Sequence, residues 1–370
     1  MFLPLWSVGS LLAFWQVLAA GHSLNLEQRF KRPTSYQFHP STSGLVAEEL
    51  IDPLPLPFDF ETSNSPIANA TNSWWISSYV TGSNEHQYLL LSHLFTTGSS
   101  SIYRGSIYDI TEPEFWQYTT TSTDPTLLDN SQNGEFNVTT SDFFFGSILP
   151  GNATKRLRTA STRSDVKYDV TFDLSAPILF NTGIGGLFQF GDDHTGEWAM
   201  PAGITTGSLV HNGQDVTFDP SRSYTWYDRQ WNVGPPTSLG WTWFQLHLHT
   251  RGQDPDSLKL SLWRWDSEGL GTRQWVTSQA QAGVNSVQPV KSFKPLGQEW
   301  TSPHTNLSYA QKWHLVLQDR TELVITSAHP DQELHSPAFT NYEGFVTVSG
   351  TAPGGEQLEG YGLVEIQPTF

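Results

Sequence analysis

A period of two runs through this chain and limits what it can fold into. Val166, Tyr168, Val170, Phe172 and Leu174 alternate with Lys167, Asp169, Thr171 and Asp173. Phe244, Leu246 and Leu248 alternate with Trp243, Gln245, His247 and His249, and Leu258, Leu260 and Leu262 with Lys259, Ser261, Trp263 and Trp265. Successive strand residues point to opposite faces, so each segment reads as a strand with one apolar face. Residues 208–218 read as a hairpin turning at Asn212-Gly213, a pair suited to the two positive φ angles of a type I′ turn. Helical periodicity is scarce. The 30 Gly and 23 Pro residues punctuate the chain as in sandwiches and barrels. The expected class is all-β.

With 370 residues the chain can bury one large core or two of ordinary size. A boundary just before Ser221 divides the strands into an N-terminal β-domain, 45–219, and a C-terminal one, 220–370. Ahead of them lie a polar leader, 22–44, and a segment that reads as a secretory signal peptide, 1–21. In that segment Leu11, Leu12, Ala13, Phe14, Trp15, Val17 and Leu18 are followed by small residues at Ala19, Ala20 and Gly21, although no Lys or Arg precedes the run. No later segment is long and apolar enough to span a bilayer. Sequons at Asn69, Asn137, Asn152 and Asn306 agree with a secreted or vesicular glycoprotein. Cysteine is absent, which removes disulfides, thiolate metal sites and cysteine nucleophiles. The net charge of −17 argues against a nucleic-acid partner, since phosphate binding needs clustered Lys and Arg.

The densest chemistry lies in Thr225-Trp226-Tyr227-Asp228-Arg229-Gln230-Trp231. On a strand, Trp226, Asp228 and Gln230 share one face, and Tyr227, Arg229 and Trp231 the other. One face offers a carboxylate beside an indole; the other a guanidinium among aromatics. Either suits a cavity wall, and either also suits pairing across a sheet. Trp241, Trp243, Gln245, His247 and His249 share a face too polar for a dry interior and too aromatic for ordinary surface. His247 and His249 could share a metal, but no third ligand accompanies them, and no metal is expected. Trp74-Trp75, Phe115-Trp116 and Phe143-Phe144-Phe145 read first as core. Glu197, Glu343 and Glu365 are candidate acids that the sequence does not pair. Gly183-Ile184-Gly185-Gly186 precedes no helix pattern, so it is not a phosphate cradle.

The residues 226–231 also resemble the W-x-D-[HR]-x-W signature of the hydroxyneurosporene synthase and AttH-like group. Ser73-Trp74-Trp75 is similar to the group's early W-W strand. Glu197-Trp198 to Pro201, then Gly207-Ser208-Leu209-Val210, resembles the approach to the hairpin before the signature. Tyr342-Glu343-Gly344 and Gly360-Tyr361-Gly362-Leu363-Val364-Glu365 resemble its closing strands. The resemblance spans about residues 70 to 366. It implies two lipocalin-like antiparallel β-barrels with a ligand pocket between them and a large apolar small-molecule substrate. The group holds fungal Diels-Alderases of polyketide–peptide hybrid pathways, including decalin and cytochalasan formation, kievitone hydratase-like proteins and bacterial carotenoid hydratases.

The expected activity on this footing is a cofactor-independent Diels–Alder cyclisation of a linear polyene carrying an activated dienophile. Such an enzyme holds its reactants in near-attack geometry, worth about 7–11 kcal/mol at best. Trp226, Trp241 and Trp243 are candidate walls, with Trp74 and Trp231 as further substrate contacts. Tyr227, Arg229 or Gln245 would donate to the dienophile's carbonyl. The alternatives are hydration of an isolated alkene in an isoprenoid or prenylated phytoalexin, with Asp228 as the acid, and non-catalytic carriage of an apolar ligand. A glycosidase would need a carboxylate pair that the sequence does not name.

Overall fold

The computed structural model describes residues 35–41, 58, 60–97, 100–122, 137–148, 155–182, 186–233, 240–253, 258–280, 283–337 and 339–368. The signal-like segment, most of the leader, Asn152 and residues 183–185 lie outside the described residues. Asn69 and Asn306 are exposed and Asn137 is half-buried. Apart from the short helix Phe60–Asn64, the regular structure is almost entirely antiparallel strand. No helix among the described residues is long and apolar enough to cross a membrane.

Two sheets carry the architecture. The path of the first runs Glu114–Ser122, Ser100–Asp109, Gln87–Thr97, Ala70–Thr81, Tyr224–Val233, Asp193–His211, Tyr168–Asp173, Arg156–Ser161, Phe143–Ser147, Asn137–Thr139. It curls, because strands far apart along that path touch through their side chains. Tyr103 stacks on Phe143 with ring centroids 4.0 Å apart, its hydroxyl lies 2.6 Å from that of Tyr168, and Ser92 meets Thr159 at 2.6 Å. The second sheet closes. Its path begins at Glu322–Ser327, passes through Gly240–Thr250 and Gln357–Gln367 to Thr340–Thr351, and Thr340–Thr351 pairs back with Glu322–Ser327 to complete an eight-stranded barrel. Thus one sheet is a closed lipocalin-like barrel and the other a curled half-barrel.

The alternating runs land as expected. Phe244, Leu246, Leu248, Leu260 and Leu262 fill the barrel together with Trp313 and Leu315. Residues 208–218 form the hairpin, with Asn212 at φ 51° and Gly213 at φ 76°. The boundary needs correction. Tyr224–Val233 lies in the middle of the first sheet, between Ala70–Thr81 and Asp193–His211. The chain changes sheet after Val233, not before Ser221. Asp219 caps the short 3₁₀ turn Pro220–Arg222, and the chain returns to the same sheet. Local turn chemistry is identical whether the next strand stays or leaves.

The outward face of the barrel packs on the first sheet. Here Trp243, Gln245 and His247 meet residues of Ala70–Thr81 and Tyr224–Val233. One half of this interface is a dry aromatic block. His247 stacks on Tyr361 at 5.5 Å and lies 4.9 Å from Tyr224, Tyr224 donates to the Tyr361 hydroxyl at 2.9 Å, and Ser77 donates to Gln245 Oε1 at 2.6 Å. Gly360 and Gly362 allow the strand Gln357–Gln367 to approach its paired strand Gly240–Thr250 closely within the barrel. A Cβ at Gly362 would stand 2.0 Å from the Gln245 carbonyl oxygen and 2.9 Å from Leu246 Cα. Because backbone is the obstacle, Gly362→Ala should cost about 3 kcal/mol. A denaturation midpoint equal to that of the unmodified protein would refute this close-approach argument.

Candidate active site

Beyond the block the same strands diverge around a cavity of about 470 Å³, within the usual size range for small-molecule sites. Along Tyr224–Val233, Trp226 belongs to the block, while Asp228, Gln230 and Asn232 line the cavity. Along Gly240–Thr250, Gln245 and His247 belong to the block, while Trp243 and Trp241 line the cavity. Trp75, Trp263 and Phe190 complete much of the aromatic wall.

Three carboxyls enter this aromatic space from two sheets. Glu197 and Asp228 come from the half-barrel. Their register pairs Glu197 with Gln230 and Ala199 with Asp228, so the two acids are diagonal neighbours on one face. Glu365 comes from the barrel. They are 2 %, 6 % and 8 % exposed. Desolvation disfavours a carboxylate and raises its pKa. Burial holds Glu197 well above the ordinary range, and the charge of Asp228 adds to it. Burial does the same to Asp228, with Glu365 adding. Glu365 is pushed up to about 7, first by burial and then by Glu343, against the pull of Arg104.

Hydrogen bonds fix which oxygen of each acid can carry a proton. An indole N–H only donates. Trp226 donates to Asp228 Oδ2 at 2.9 Å, and Oδ1 has no protein partner. The proton of a neutral Asp228 therefore sits on Oδ1. A longer relay sets Glu197. Trp243 donates to Ser261 Oγ at 2.9 Å, Ser261 donates to Asn181 Oδ1 at 2.6 Å, and the Asn181 amide N–H is left to donate to Glu197 Oε1. Glu197 Oε2 is buried with no partner at hydrogen-bond geometry, although the Trp263 indole N–H lies near enough to pull the Glu197 pKa back down. Two acids thus keep one anchored and one open oxygen.

Arg104 organises the other side. Its Nη2 lies 2.7 Å from Glu343 Oε1 and 3.6 Å from Glu365 Oε1, and its guanidinium stacks 4.5 Å above Phe339. Glu343 and Glu365 are opposite each other on paired strands, a repulsive arrangement without the cation between them. Arg104 Nε donates to His93 Nδ1 at 2.9 Å, so His93 must carry its proton on Nε2, which faces Ser73 Oγ at 2.8 Å. Burial and the neighbouring Arg104 push the His93 pKa well below its ordinary value, so the ring is neutral. Arg104 Nη1 and Gln230 Nε2 have no protein partner, and both residues line the cavity, where they can bind a ligand oxygen.

The expected site residues are divided by the pleat. Asp228, Trp241 and Trp243 share the cavity, with Trp226 holding Asp228 from behind. Gln245 lies in the dry block, committed to Ser77, Tyr79 and His247. Tyr227 and Arg229, expected to donate to substrate, point to the opposite face. Tyr227 donates to Asn64 Oδ1. Arg229 donates to the Ser63 and Ser65 carbonyls at 2.6 and 2.9 Å and to Asn72 Oδ1 at 2.7 Å, over the Trp74 ring at 4.4 Å. Trp231 packs at this outer side against Phe58 and Arg229. Trp74, Tyr227, Arg229 and Trp231 therefore do not line the cavity; their face packs the helix Phe60–Asn64 onto the sheet. His247 and His249 do not converge on a metal: His249 faces Glu359 at 3.4 Å, while His247 is wedged among tyrosines. The sequence reading missed Arg104 and His93, which stand in runs with no motif, and could name Glu197, Glu343 and Glu365 only singly.

Known proteins share this frame. A family model described as AttH-like matches residues 91–367. Kievitone hydratase of Fusarium solani subsp. phaseoli is 33 % identical over 342 residues, covering 91 % of this chain and 92 % of that protein. Dehydratase asqC of Emericella nidulans is 27 % identical, over 84 % of this chain and 89 % of its own length. The crystal structure of kievitone hydratase from Nectria haematococca superimposes with a TM-score of 0.80 at 29 % identity, covering 90 % of this chain and 99 % of that one. CghA, solved with Sch210972, shares the fold at a TM-score of 0.55 and 12 % identity, over 88 % of this chain and 97 % of its own. The two-sheet frame and a match running through most of its length show that this chain belongs to the AttH-like family.

Proposed function

We propose that the chain is a hydro-lyase that adds water to, or removes it from, an isoprenoid or prenylated phenolic substrate by acid–base catalysis. The observation that carries this reading is the convergence of Glu197, Asp228 and Glu365 in an aromatic cavity, two of them with an unpartnered oxygen. The family's named relatives, a hydratase and a dehydratase, support the same class.

In the hydration direction, Asp228 gives the proton on Oδ1 to an alkene carbon, and the adjacent carbon becomes cationic. The faces of Trp75, Trp241, Trp243 and Trp263 stabilise that charge. A deprotonated Glu365, whose pKa lies at about 7, then takes a proton from water as the water oxygen bonds to the cation. Dehydration is the reverse, by the same groups. Arg104 Nη1 and Gln230 Nε2 hold a phenolic or carbonyl oxygen of the substrate. Desolvation serves the chemistry, because it keeps a carboxylic acid neutral where a solvated one would be ionised.

A cyclisation reading draws support from the same aromatic walls and from Arg104 as a donor to a conjugated carbonyl. It leaves three proton-retaining carboxyls without a task, so it ranks second. Incubation with a prenylated phenol in ¹⁸O-labelled water separates the readings. Hydration yields a product with one labelled oxygen; an isomer of unchanged mass from a linear polyene, with no labelled product from either substrate, would overturn the proposal. We also place the enzyme on the secretory route, on the signal-like segment and the sequons.

The pH dependence follows from the same groups. A raised carboxyl pKa means that the folded state holds its protons more tightly than the unfolded chain. Their contribution to stability is full below the ordinary carboxyl range and is lost as pH rises through the folded values, near 7 for Glu365. Activity needs one carboxyl protonated and another ionised, so kcat/KM should be bell-shaped, with its alkaline limb near or above neutrality. A flat profile from pH 5 to 9 would contradict this assignment.

A further inference from the structure

A second constellation lies outside the cavity. His86, Asp109 and His211 each bring one potential ligand atom within 4.8 Å of the other two. His86 Nδ1 stands 2.7 Å from Asp109 Oδ2, and His211 Nδ1 stands 3.8 Å from the same oxygen. Asp109 ends one strand, His86 precedes the neighbouring strand, and His211 ends the long strand at the Asn212-Gly213 turn. The curl of the half-barrel brings them together. Asp109 lies five residues beyond Arg104 on one strand, or about 16 Å at 3.3 Å per residue. The cluster is therefore separate from the carboxyl site.

From this geometry we infer a binding site for one divalent transition-metal ion of the zinc class, ligated by His86, Asp109 and His211. Two imidazoles and one carboxylate suit such an ion, with a fourth position open to water. Ligand atoms about 2.0–2.1 Å from a tetrahedral ion stand about 3.3 Å apart, and the observed 2.7 and 3.8 Å bracket that value. Two further observations point to a ligand. The His211 side chain is only 10 % exposed, and its Nδ1 is buried with no hydrogen-bond partner. Asp109 is fully buried; its Oδ1 is held by the Thr111 and Glu112 backbone N–H groups at 2.8 and 2.9 Å, and its Oδ2 is aimed at His86 Nδ1 in a 2.7 Å hydrogen bond that the ion would replace. The Asn212 side-chain amide lies 2.8 Å from His211 Nε2. The amide nitrogen Nδ2 faces that ring nitrogen, so baring Nδ1 for the ion requires the Asn212 amide to turn over and accept the Nε2 proton through its oxygen. His86 is 23 % exposed, giving the ion a route in. The bound ion would clasp the Asn212-Gly213 hairpin to the neighbouring strands.

The experiment uses the full chain without a histidine tag, stripped by chelator and titrated with Co²⁺ while visible absorption is followed. One equivalent should give d–d bands that Zn²⁺ displaces, and Zn²⁺ should raise the unfolding temperature. His211→Gln should abolish the bands. Asp109→Asn keeps the Oδ1 acceptor and the turn, and should weaken Zn²⁺ by more than about tenfold. Absence of one-equivalent uptake by the folded unmodified protein would overturn the inference. So would uptake that survives both substitutions, since ten other histidines remain in the sequence.

Discussion

Asp228→Asn is expected to cut turnover by about 10²- to 10⁴-fold, the range for losing a general acid, while leaving fold and ligand binding intact. The amide preserves volume and can still accept the Trp226 N–H through its oxygen. What it loses is the acidic proton on the open oxygen. It also removes one of the charges that raise Glu197, so the Glu197 pKa should fall toward the ordinary range. Residual activity in Asp228→Asn should therefore show its alkaline limb at lower pH. Stopped turnover with unchanged Kd for a product analogue would separate chemistry from binding. Undiminished hydration by Asp228→Asn would remove the acid role from this residue and, with it, the direction of proton flow proposed above.

Arg229→Met is expected to destabilise the fold by about 4 kcal/mol, with little effect on kcat in the molecules that remain folded. Burial lowers the Arg229 pKa to about 9 against the opposing pull of Tyr227, the sign of a cation held in a dry place with no carboxylate partner among the described residues. Replacing it with Met relieves that desolvation cost. The opposing loss is larger, because the Ser63 and Ser65 carbonyls and Asn72 Oδ1 lose their donor at about 1–3 kcal/mol each. Trp74 also loses the guanidinium over its ring. Chemical denaturation gives the stability change, and single-turnover assays give the rate. A mutant of unaltered stability with abolished turnover would return Arg229 to the catalytic machinery and contradict the assignment of its face.

Asp228 and Arg229 are neighbours in the chain and opposites in use, and they show how far sequence reasoning reaches. The pleat already separated their side chains, since strand residues alternate. Which face met the cavity was not legible. Both faces are aromatic and both hold an ionisable group, so composition does not choose between them. The choice falls to the helix Phe60–Asn64 and the residue after it, whose buried C-terminal carbonyls at Ser63 and Ser65 need the donors that Arg229 supplies. Likewise the hairpin at Asn212-Gly213 was readable because its φ angles are a local demand, whereas the position of the sheet change was not. Asp219-Pro220 satisfies a local turn whether the next strand stays in the sheet or leaves it.

The amino-acid order alone determined the all-β class, the inward runs of the barrel, the absence of thiol chemistry and the family to which the 226–231 signature belongs. Those properties depend on residues within one strand or turn of each other, where periodicity and steric demand act directly. Only the tertiary structure decided the site. Glu197, Asp228 and Glu365 are separated by up to 168 residues (365 − 197), and His93 and Arg104 carry no motif at all. Their meeting depends on which strands pair and on how a half-barrel curls against a closed one. Their proton affinity depends on the water that this packing excludes, and desolvation belongs to the assembled cavity rather than to any stretch of chain.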